Sequence, residues 1–285
     1  MGSHPLESER NRVKLGIMFP NVLAPCKDGK VVDDLKKMAE KELFYLQATP
    51  QLFTDENLRI TPSGKTALKA LAGLGMEIVG WCGYNPLIGK EEVVRQGVEA
   101  IKKVIAFAAA AREISEKTRP SVFSESGSPA QNPDLGHEYM WGQIVAATGE
   151  IAAEAEKRDI LFAFEPTRAN ILDSSRTTVK LIREVGSDCV KSLFDPANIC
   201  GDKDTLEGAV AALRPYMILA HAKDVILKGE GQTPEYPPAG KGSLDYPRIF
   251  ELIRPIETCN EIIIEYVRTP EQANETIEFL RQFCD

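Results

Sequence analysis

The chain contains 285 residues, of which 43% are hydrophobic and 27% are charged. These values are typical of a globular protein with one large core, and the length suits a single domain. The formal net charge of −8 argues against a protein that holds nucleic acid, because neutralising phosphates requires a basic surface. The six cysteines are widely spaced and form no Cys-x-x-Cys motif, which indicates reduced thiols in the cytoplasm.

The N-terminal residues 1–12 are polar and charged and lack the apolar segment of a secretory signal. We predict that they form a disordered tail before a single domain at 13–285. The most apolar stretch, residues 104–111, is far shorter than the roughly 20 residues that cross a bilayer. We therefore expect no membrane contact and a cytoplasmic location.

The first half of the chain alternates short apolar runs with helical patterns. Thr61 and Pro62 begin one of these helices and Gly75 ends it, since proline favours the first turn and glycine the position after the last. A Ser/Gly/Pro-rich loop at 125–136 follows the fourth strand. The predicted strands are 14–19, 44–47, 77–81 and 121–124, and the predicted helices are 33–42, 61–74, 91–115 and 138–157.

The second half continues the alternation with four apolar runs that each end in one polar residue. Its predicted strands are 160–165, 189–195, 217–221 and 261–265, and its predicted helices are 175–185, 205–214, 246–253 and 270–283, the last behind Thr269 as N-cap. Eight strand–helix units predict an α/β fold in which parallel strands close into a (β/α)8 TIM barrel. An open doubly wound sheet is the alternative architecture.

The polar residues at the ends of strands five to eight are Glu165, Asp195, His221 and Glu265. Each alone has an ordinary explanation, such as a helix cap, an Asx turn, a core histidine or a rim ion pair. Because parallel strands deliver their ends to one rim, however, the four together favour a shared site. Three carboxylates and one imidazole predict a divalent metal, with Mn²⁺ preferred and Mg²⁺, Co²⁺ or Zn²⁺ as alternatives.

A divalent ion at this rim would bind vicinal carbonyl and hydroxyl oxygens of a sugar and stabilise the enediolate that forms on proton removal. Glu165 and Glu265 come from well-separated strands, so one carboxylate can remove the proton while the other returns it. The pattern therefore predicts an isomerase or epimerase of a ketose, inosose or related polyhydroxy carbonyl compound.

Several segments resemble the xylose-isomerase-like TIM-barrel superfamily of sugar phosphate isomerases and epimerases over nearly the whole chain. They are Glu165, the sequence Phe194-Asp-Pro-Ala-Asn-Ile199, His221-Ala-Lys-Asp224, Gly240-Lys-Gly242 with Asp245-Tyr246, and Glu265. The resemblance to D-tagatose and D-allulose 3-epimerases implies that Glu165, Asp195, His221 and Glu265 bind Mn²⁺ or Co²⁺. It also implies that the two glutamates are the acid–base pair.

The chain departs from the ketohexose 3-epimerases at Ile171, Asn198 and the Lys223–Asp224 pair, where those enzymes tend to carry Glu, His and Arg. The identity of the sugar substrate is therefore left open. The His-x-Lys-Asp sequence also resembles inosose dehydratases and C-glycoside-cleaving enzymes, so a metal-dependent lyase is one alternative and a non-catalytic sugar-binding barrel is another. Apurinic endonucleases share the barrel but need many histidines, and this chain has three.

Six further residues are candidates for binding the substrate. Lys223 and Arg168 offer charged groups for hydroxyls or a phosphate. The Gly/Pro-rich segment 228–240 is a candidate lid. We expect a small-molecule carbohydrate as the partner. The sequence leaves open whether the protein forms a homo-oligomer. The full substrate-binding set is Trp81, His137, Arg168, Asn198, Lys223 and Asp224.

Overall fold

A computed structural model describes residues 12–229 and 232–284 as a closed barrel of eight parallel strands. Each strand pairs with the next along the chain, and β8 closes the barrel on β1. The strands are β1 Lys14–Phe19, β2 Tyr45–Ala48, β3 Glu77–Cys82, β4 Ser121–Ser124, β5 Leu161–Phe164, β6 Val190–Phe194, β7 Met217–Ala222 and β8 Glu261–Ile264. The predicted barrel is confirmed, and the open doubly wound sheet is wrong. The predicted tail lies, apart from Arg12, outside the described residues.

Helices follow the strands in the predicted alternation. They are α1 Val31–Glu40, α2 Pro62–Gly73, α3 Glu91–Ile114, α4 His137–Lys157, α5 Ser175–Val185, α6 Pro196–Ile199, α7 Leu206–Leu213, α8 Tyr246–Ile253 and α9 Pro270–Arg281. The predicted N-cap Thr269 is confirmed, because its side chain accepts a hydrogen bond from the Gln272 amide. Thr61, at the predicted start of α2, caps that helix by accepting from the Gly64 amide. The short α6 was not predicted. It begins directly behind Asp195, whose side chain caps it.

The interior of the barrel is filled by one apolar residue from each of six strands. These residues are Val79, Phe123, Ala163, Leu193, Leu219 and Ile263. Such a layer makes the barrel a packed core rather than a pore. Gly80 makes room for it, since a Cβ there would overlap the ring of Phe123. A second and larger apolar core includes the inward-facing residues of the helices. The packing leaves the rim at the carboxyl ends of the strands for polar groups.

The opposite rim carries a buried ion pair. Arg119 precedes β4 and donates from Nη1 and Nη2 to the two carboxylate oxygens of Glu261, at 2.6 Å and 2.7 Å. Its Nε also donates to Glu77. Glu261 and Glu77 are the first residues of β8 and β3, and Glu261 is fully buried. This contact therefore links three strands at the amino-terminal rim, where residues of such barrels serve stability.

Within the described ranges, no helix has both the length and the apolar character that crossing a membrane requires.

Candidate metal centre

The structure brings the four predicted ligands together at the carboxyl ends of the strands. Glu165, Asp195 and Glu265 are the residues directly after β5, β6 and β8, and His221 lies in β7. One ligand atom from each residue lies within 4.8 Å of those from all the others. Four residues that are far apart in the chain therefore form one cluster of three oxygen donors and one nitrogen donor.

The imidazole of His221 lies at the centre of the carboxylates. Its Nδ1 is 3.5 Å from Glu165 Oε1, 3.5 Å from Glu265 Oε2 and 4.0 Å from Asp195 Oδ2. His221 and Asp195 are fully buried. Nδ1 has no hydrogen-bond partner in the described part of the chain. A buried polar atom without a partner, aimed between three carboxylates, fits the position of a metal ligand.

The hydrogen bond made by the other ring nitrogen, Nε2, determines which tautomer the neutral His221 adopts. Nε2 lies 2.7 Å from the amide oxygen Oε1 of Gln47. Because this oxygen only accepts hydrogen bonds, Nε2 carries the proton and donates it. The neutral imidazole then has its lone pair on Nδ1, facing the carboxylates. Gln47 is fully buried in β2, so the ring orientation is held by a strand that is distant in the sequence.

The charges of the cluster favour a cation at this place. Burial disfavours a charged imidazole, but the carboxylates of Glu265 and Glu165 outweigh it and raise the pKa of His221 to about 10. For Asp195, burial has the larger effect and raises the pKa to about 7, although Lys223 acts in the opposite direction. Metal binding requires a neutral His221 and three ionised carboxyls; in that state the carboxylates and the Lys223 ammonium sum to −2, which a divalent cation neutralises. The donor set and the charge therefore both fit a divalent metal ion.

A chain of hydrogen bonds supports the ligands from behind. Gln47 Nε2 donates to the Tyr84 hydroxyl at 3.2 Å, and this hydroxyl donates to Glu165 Oε2 at 3.0 Å. Asn198 Nδ2 donates to the other oxygen, Glu165 Oε1, at 2.7 Å. His221 and Glu165 are thus oriented by a common network that starts at Gln47. Such supporting contacts fix the rotamers and the basicity of ligands.

Replacing Gln47 by leucine is expected to weaken the binding of Mn²⁺ by about 10- to 100-fold. The substitution removes the acceptor that holds the His221 proton on Nε2 and the donor that holds Tyr84. Binding is measured by titrating Mn²⁺ and following the electron paramagnetic resonance signal of the free ion. Gln143→Leu is the matched control, because Gln143 bonds the Gly89 backbone. Equal affinities of the two variants would contradict the supporting role of Gln47.

Lys223, the residue directly after β7, lies inside the cluster. Its Nζ is 2.5 Å from Glu265 Oε1 and 2.7 Å from Asp195 Oδ2. The side chain is 5% exposed. Burial disfavours its charge, but Asp195 and Glu265 outweigh that effect and hold the pKa of Lys223 well above its usual value. The ammonium therefore stays charged beside the carboxylates.

Two aromatic rings cover Lys223. The Tyr266 ring centroid is 4.6 Å from Nζ and the Tyr236 centroid is 5.5 Å from it, both within the range of a cation–π contact. Tyr266 directly follows Glu265, and Tyr236 belongs to the segment that was predicted as a lid. This segment thus reaches the cluster through Tyr236. Its backbone pairs with the chain after β7 at Ile226 and Glu235.

Arg168 and Asp224, which were predicted to bind the substrate, both have protein partners in the structure. Arg168 donates to the Asp202 carboxylate, to the Ala197 and Cys200 carbonyls and to the Tyr236 hydroxyl. Asp224 is fully buried and accepts from three backbone amides, those of Val225, Gly240 and Leu244. These two side chains therefore hold the loops around the cluster. A Cβ on Gly242 would overlap the Asp224 carboxylate.

The side chains of Trp81 and His137, which were also predicted to bind the substrate, contact residues outside the cluster. The Trp81 side chain is fully buried and packs edge-to-face against Phe53 and Phe107. The indole ring fills the core between β3 and α3, as large aromatic side chains commonly do. His137 is the exposed first residue of α4 and stacks on Trp141 of the same helix. The core encloses Trp81 completely, which corrects its predicted contact with substrate, whereas substrate binding by His137 stays a prediction.

Sequence reasoning missed Gln47, Tyr84 and Glu125. Gln47 is the polar residue in an otherwise apolar short strand, and Glu125 directly follows β4, as the candidate metal ligands Glu165, Asp195 and Glu265 follow their strands. A polar residue at the end of a strand is the pattern that identified the four candidate ligands, and it could have identified these two residues as well. Tyr84 lies in a loop after β3, and no pattern indicated its contact with Glu165.

The protein is a parallel eight-stranded barrel with a candidate metal site at the carboxyl ends of its strands. A family model described as xylose isomerase-like TIM barrel matches residues 42–283. The chain belongs to this family, as the resemblance implied. A search of curated protein sequences finds no match.

Solved structures share the fold at low sequence identity. The 3-keto-D-glucoside 4-epimerase YcjR from E. coli is 15% identical, with a TM-score of 0.74 over 95% of this chain and 99% of that one. The probable 3-DHS dehydratase AsbF from Bacillus anthracis is 14% identical, with a TM-score of 0.74 over 94% and 98%. D-psicose 3-epimerase from Clostridium cellulolyticum H10 with D-tagatose is 15% identical, with a TM-score of 0.68 over 95% and 99%. The fold thus occurs in epimerases and in a protein described as a dehydratase.

Proposed function

We propose that this protein is a divalent-metal-dependent isomerase or epimerase of a polyhydroxy carbonyl compound, such as a ketose or an inosose. One observation carries the proposal: Glu165 and Glu265 each place an oxygen 3.5 Å from the same nitrogen, His221 Nδ1. Two carboxylates thus flank one position from different strands. This is the arrangement in which one base can remove a proton and a second acid can return it.

Glu165, Asp195, His221 and Glu265 would hold the ion, and we propose Mn²⁺, with Mg²⁺, Co²⁺ and Zn²⁺ as alternatives. When bound, a divalent cation polarises a substrate carbonyl and makes the neighbouring C–H more acidic. The donor set of three carboxylates and one imidazole supports hard, oxygen-preferring ions over a closed structural zinc site. The net charge of −8 favours a small carbohydrate over a nucleic acid as partner.

The protein side chains then move the proton. In the metal-free protein, charged His221 and then Lys223 oppose the effect of burial and keep the pKa values of both Glu165 and Glu265 below their usual range. A divalent cation would supply positive charge in place of the then neutral His221, so both side chains would stay carboxylates that can accept a proton. Asn198 and Tyr84 hold Glu165 by one donor on each oxygen, and Lys223 holds Glu265. One glutamate removes a proton next to the substrate carbonyl, and the other returns it to the adjacent carbon or the opposite face.

A lyase or dehydratase of the same family is the second candidate. Its supporting observation is Lys223, a charged ammonium 2.5 Å from Glu265 Oε1. A fixed positive charge beside a base supports elimination, because it stabilises the negative charge that develops on a departing hydroxyl. A dehydratase is also among the proteins that share the fold. The two candidates share proton removal as the first step and differ in the second step, which is either return of the proton or loss of the hydroxyl.

The decisive experiment incubates Mn²⁺-loaded protein with a panel of ketoses and inososes in D₂O. Proton NMR should show deuterium entering at the carbon next to the carbonyl, together with an isomeric product. An unsaturated, dehydrated product would instead identify a lyase, and saturable sugar binding without exchange would identify a binding protein. Chelator-treated protein is the control and should show exchange only after Mn²⁺ is added back. Absence of exchange across the whole panel would contradict the isomerase assignment.

A further inference from the structure

The ammonium of Lys223 contacts oxygens that a metal ion would also need. Asp195 Oδ1 caps α6, so Oδ2 is the oxygen that faces the cluster, 4.0 Å from His221 Nδ1. Lys223 Nζ lies 2.7 Å from this same Oδ2 atom. It also lies 2.5 Å from Glu265 Oε1 and 3.9 Å from Glu165 Oε1. One protein cation is thus paired with all three carboxylates of the candidate metal centre.

The surroundings of Lys223 hold the ammonium at this place. The side chain is 5% exposed, and the rings of Tyr236 and Tyr266 cover Nζ. The hydroxyl of the buried Tyr246 donates to the Lys223 carbonyl at 2.7 Å. Because little water reaches the ammonium, its interactions with the carboxylates are screened less than those of a surface lysine. Its charge therefore acts strongly on any other ion that binds between them.

The three carboxylates need positive charge with or without a metal ion. Without the ion they repel one another in a largely buried position, which is unfavourable unless cations pair with them. Lys223 supplies one such cation. A divalent ion would bring further positive charge to the same oxygens, and two cations that share carboxylates repel each other. Each cation therefore weakens the binding of the other, and this negative coupling is reciprocal.

We propose that Lys223 is the counter-cation of the metal-free site: it holds Asp195 and Glu265 together until a divalent ion is present, and it competes with that ion for their oxygens. Lys223 therefore stabilises the metal-free protein and keeps the metal affinity lower than the carboxylates alone would give. This role rests on the metal site of the proposed function and is independent of the reaction catalysed there.

The variant Lys223→Met tests this role, because methionine is an unbranched side chain without charge. Mn²⁺ is titrated into metal-free protein, and the electron paramagnetic resonance signal of the free ion gives the affinity. We expect Lys223→Met to bind Mn²⁺ at least about tenfold more tightly than the unaltered protein. In urea unfolding, the metal-free variant should be less stable than the unaltered protein, and saturating Mn²⁺ should narrow this difference. Removing a lysine with a purely structural role would leave the affinity equal or lower.

Two further variants separate the local charge of Lys223 from other effects. Lys37→Met removes one positive charge from α1, where Lys37 pairs with Asp34 and its side chain is 55% exposed. It changes the net charge of the protein equally and should bind Mn²⁺ like the unaltered protein. Lys223→Arg keeps a positive charge beside the carboxylates and should not gain affinity.

Unchanged or weaker binding by Lys223→Met, or an equal gain in either Lys37→Met or Lys223→Arg, would overturn the counter-cation role. A Lys223→Met protein that folds only when Mn²⁺ is present would support the role, since the ion then replaces the missing charge. If that variant does not fold even at saturating Mn²⁺, Lys223→Gln is used with the same expectations. Failure of Lys223→Gln to fold with Mn²⁺ would reject the role.

The outcomes for the counter-cation and for the reaction are distinct. Tighter Mn²⁺ binding by Lys223→Met, together with no deuterium exchange into any sugar, would retain the role of Lys223 and reject the isomerase. Exchange by a protein whose Lys223→Met variant gains no affinity would retain the isomerase and reject the role of Lys223. Absence of Mn²⁺ binding by both proteins would reject both.

Discussion

Replacing Glu265 by glutamine is expected to lower the rate of proton exchange into the substrate by about 10²- to 10⁴-fold, the usual contribution of a positioned acid or base. Glutamine retains the shape and one oxygen of the side chain but cannot accept the proton. Lys223, 2.5 Å from the Glu265 carboxylate, would still have Asp195 as its partner. The measurement is the NMR exchange assay in D₂O, carried out at saturating Mn²⁺ so that weaker metal binding does not reduce the rate.

The matched control is Glu257→Gln, because Glu257 is an exposed glutamate four residues before β8. It should exchange like the unaltered protein. Glu165→Gln should resemble Glu265→Gln, since the two carboxylates flank the same His221 nitrogen. A Glu265→Gln protein that binds Mn²⁺ and still exchanges within threefold of the normal rate would show that Glu265 is not the acid or base.

Replacing Arg119 by methionine is expected to lower the free energy of unfolding by about 3 to 5 kcal/mol, the cost of leaving one partner of a buried ion pair without the other. Glu261 is fully buried and receives two hydrogen bonds from Arg119. The second cation near it, Lys14, is 3.7 Å away and 41% exposed in its side chain. Lys14 therefore neutralises the buried Glu261 carboxylate poorly when Arg119 is absent. Urea unfolding monitored by circular dichroism gives the change.

Arg95→Met is the matched control for this loss. Arg95 pairs with Glu92, their side chains are 70% and 57% exposed, and exposed pairs contribute about 0 to 1 kcal/mol. The double variant Arg119→Met with Glu261→Met should recover most of the loss, because the buried carboxylate is then removed together with its partner. An Arg119→Met protein as stable as Arg95→Met would show that water or Lys14 satisfies Glu261.

The elements of the barrel could be predicted from the sequence because each depends on neighbouring residues. The apolar runs, the caps Thr61 and Thr269 and the stop at Gly75 act over a few positions, and parallel strands must end at one rim. This rim rule alone is enough to bring the four candidate metal ligands together: Glu165, Asp195, His221 and Glu265. They were thus determined by local pattern and by the chirality of strand–helix–strand connections.

The remaining features depended on the tertiary structure. The hydrogen bond between Gln47 and His221 joins residues 174 positions apart, and its existence depends on strand register and rotamers that no local pattern specifies. The same is true of Arg168 and Asp224, whose charged groups looked free in the sequence but form hydrogen bonds with side-chain and backbone groups of the surrounding loops. The sequence by itself determined which groups arrive at the rim. Only the packed structure decided which of them are engaged by the protein and which face the site, because close packing and hydrogen-bond satisfaction are properties of the whole fold.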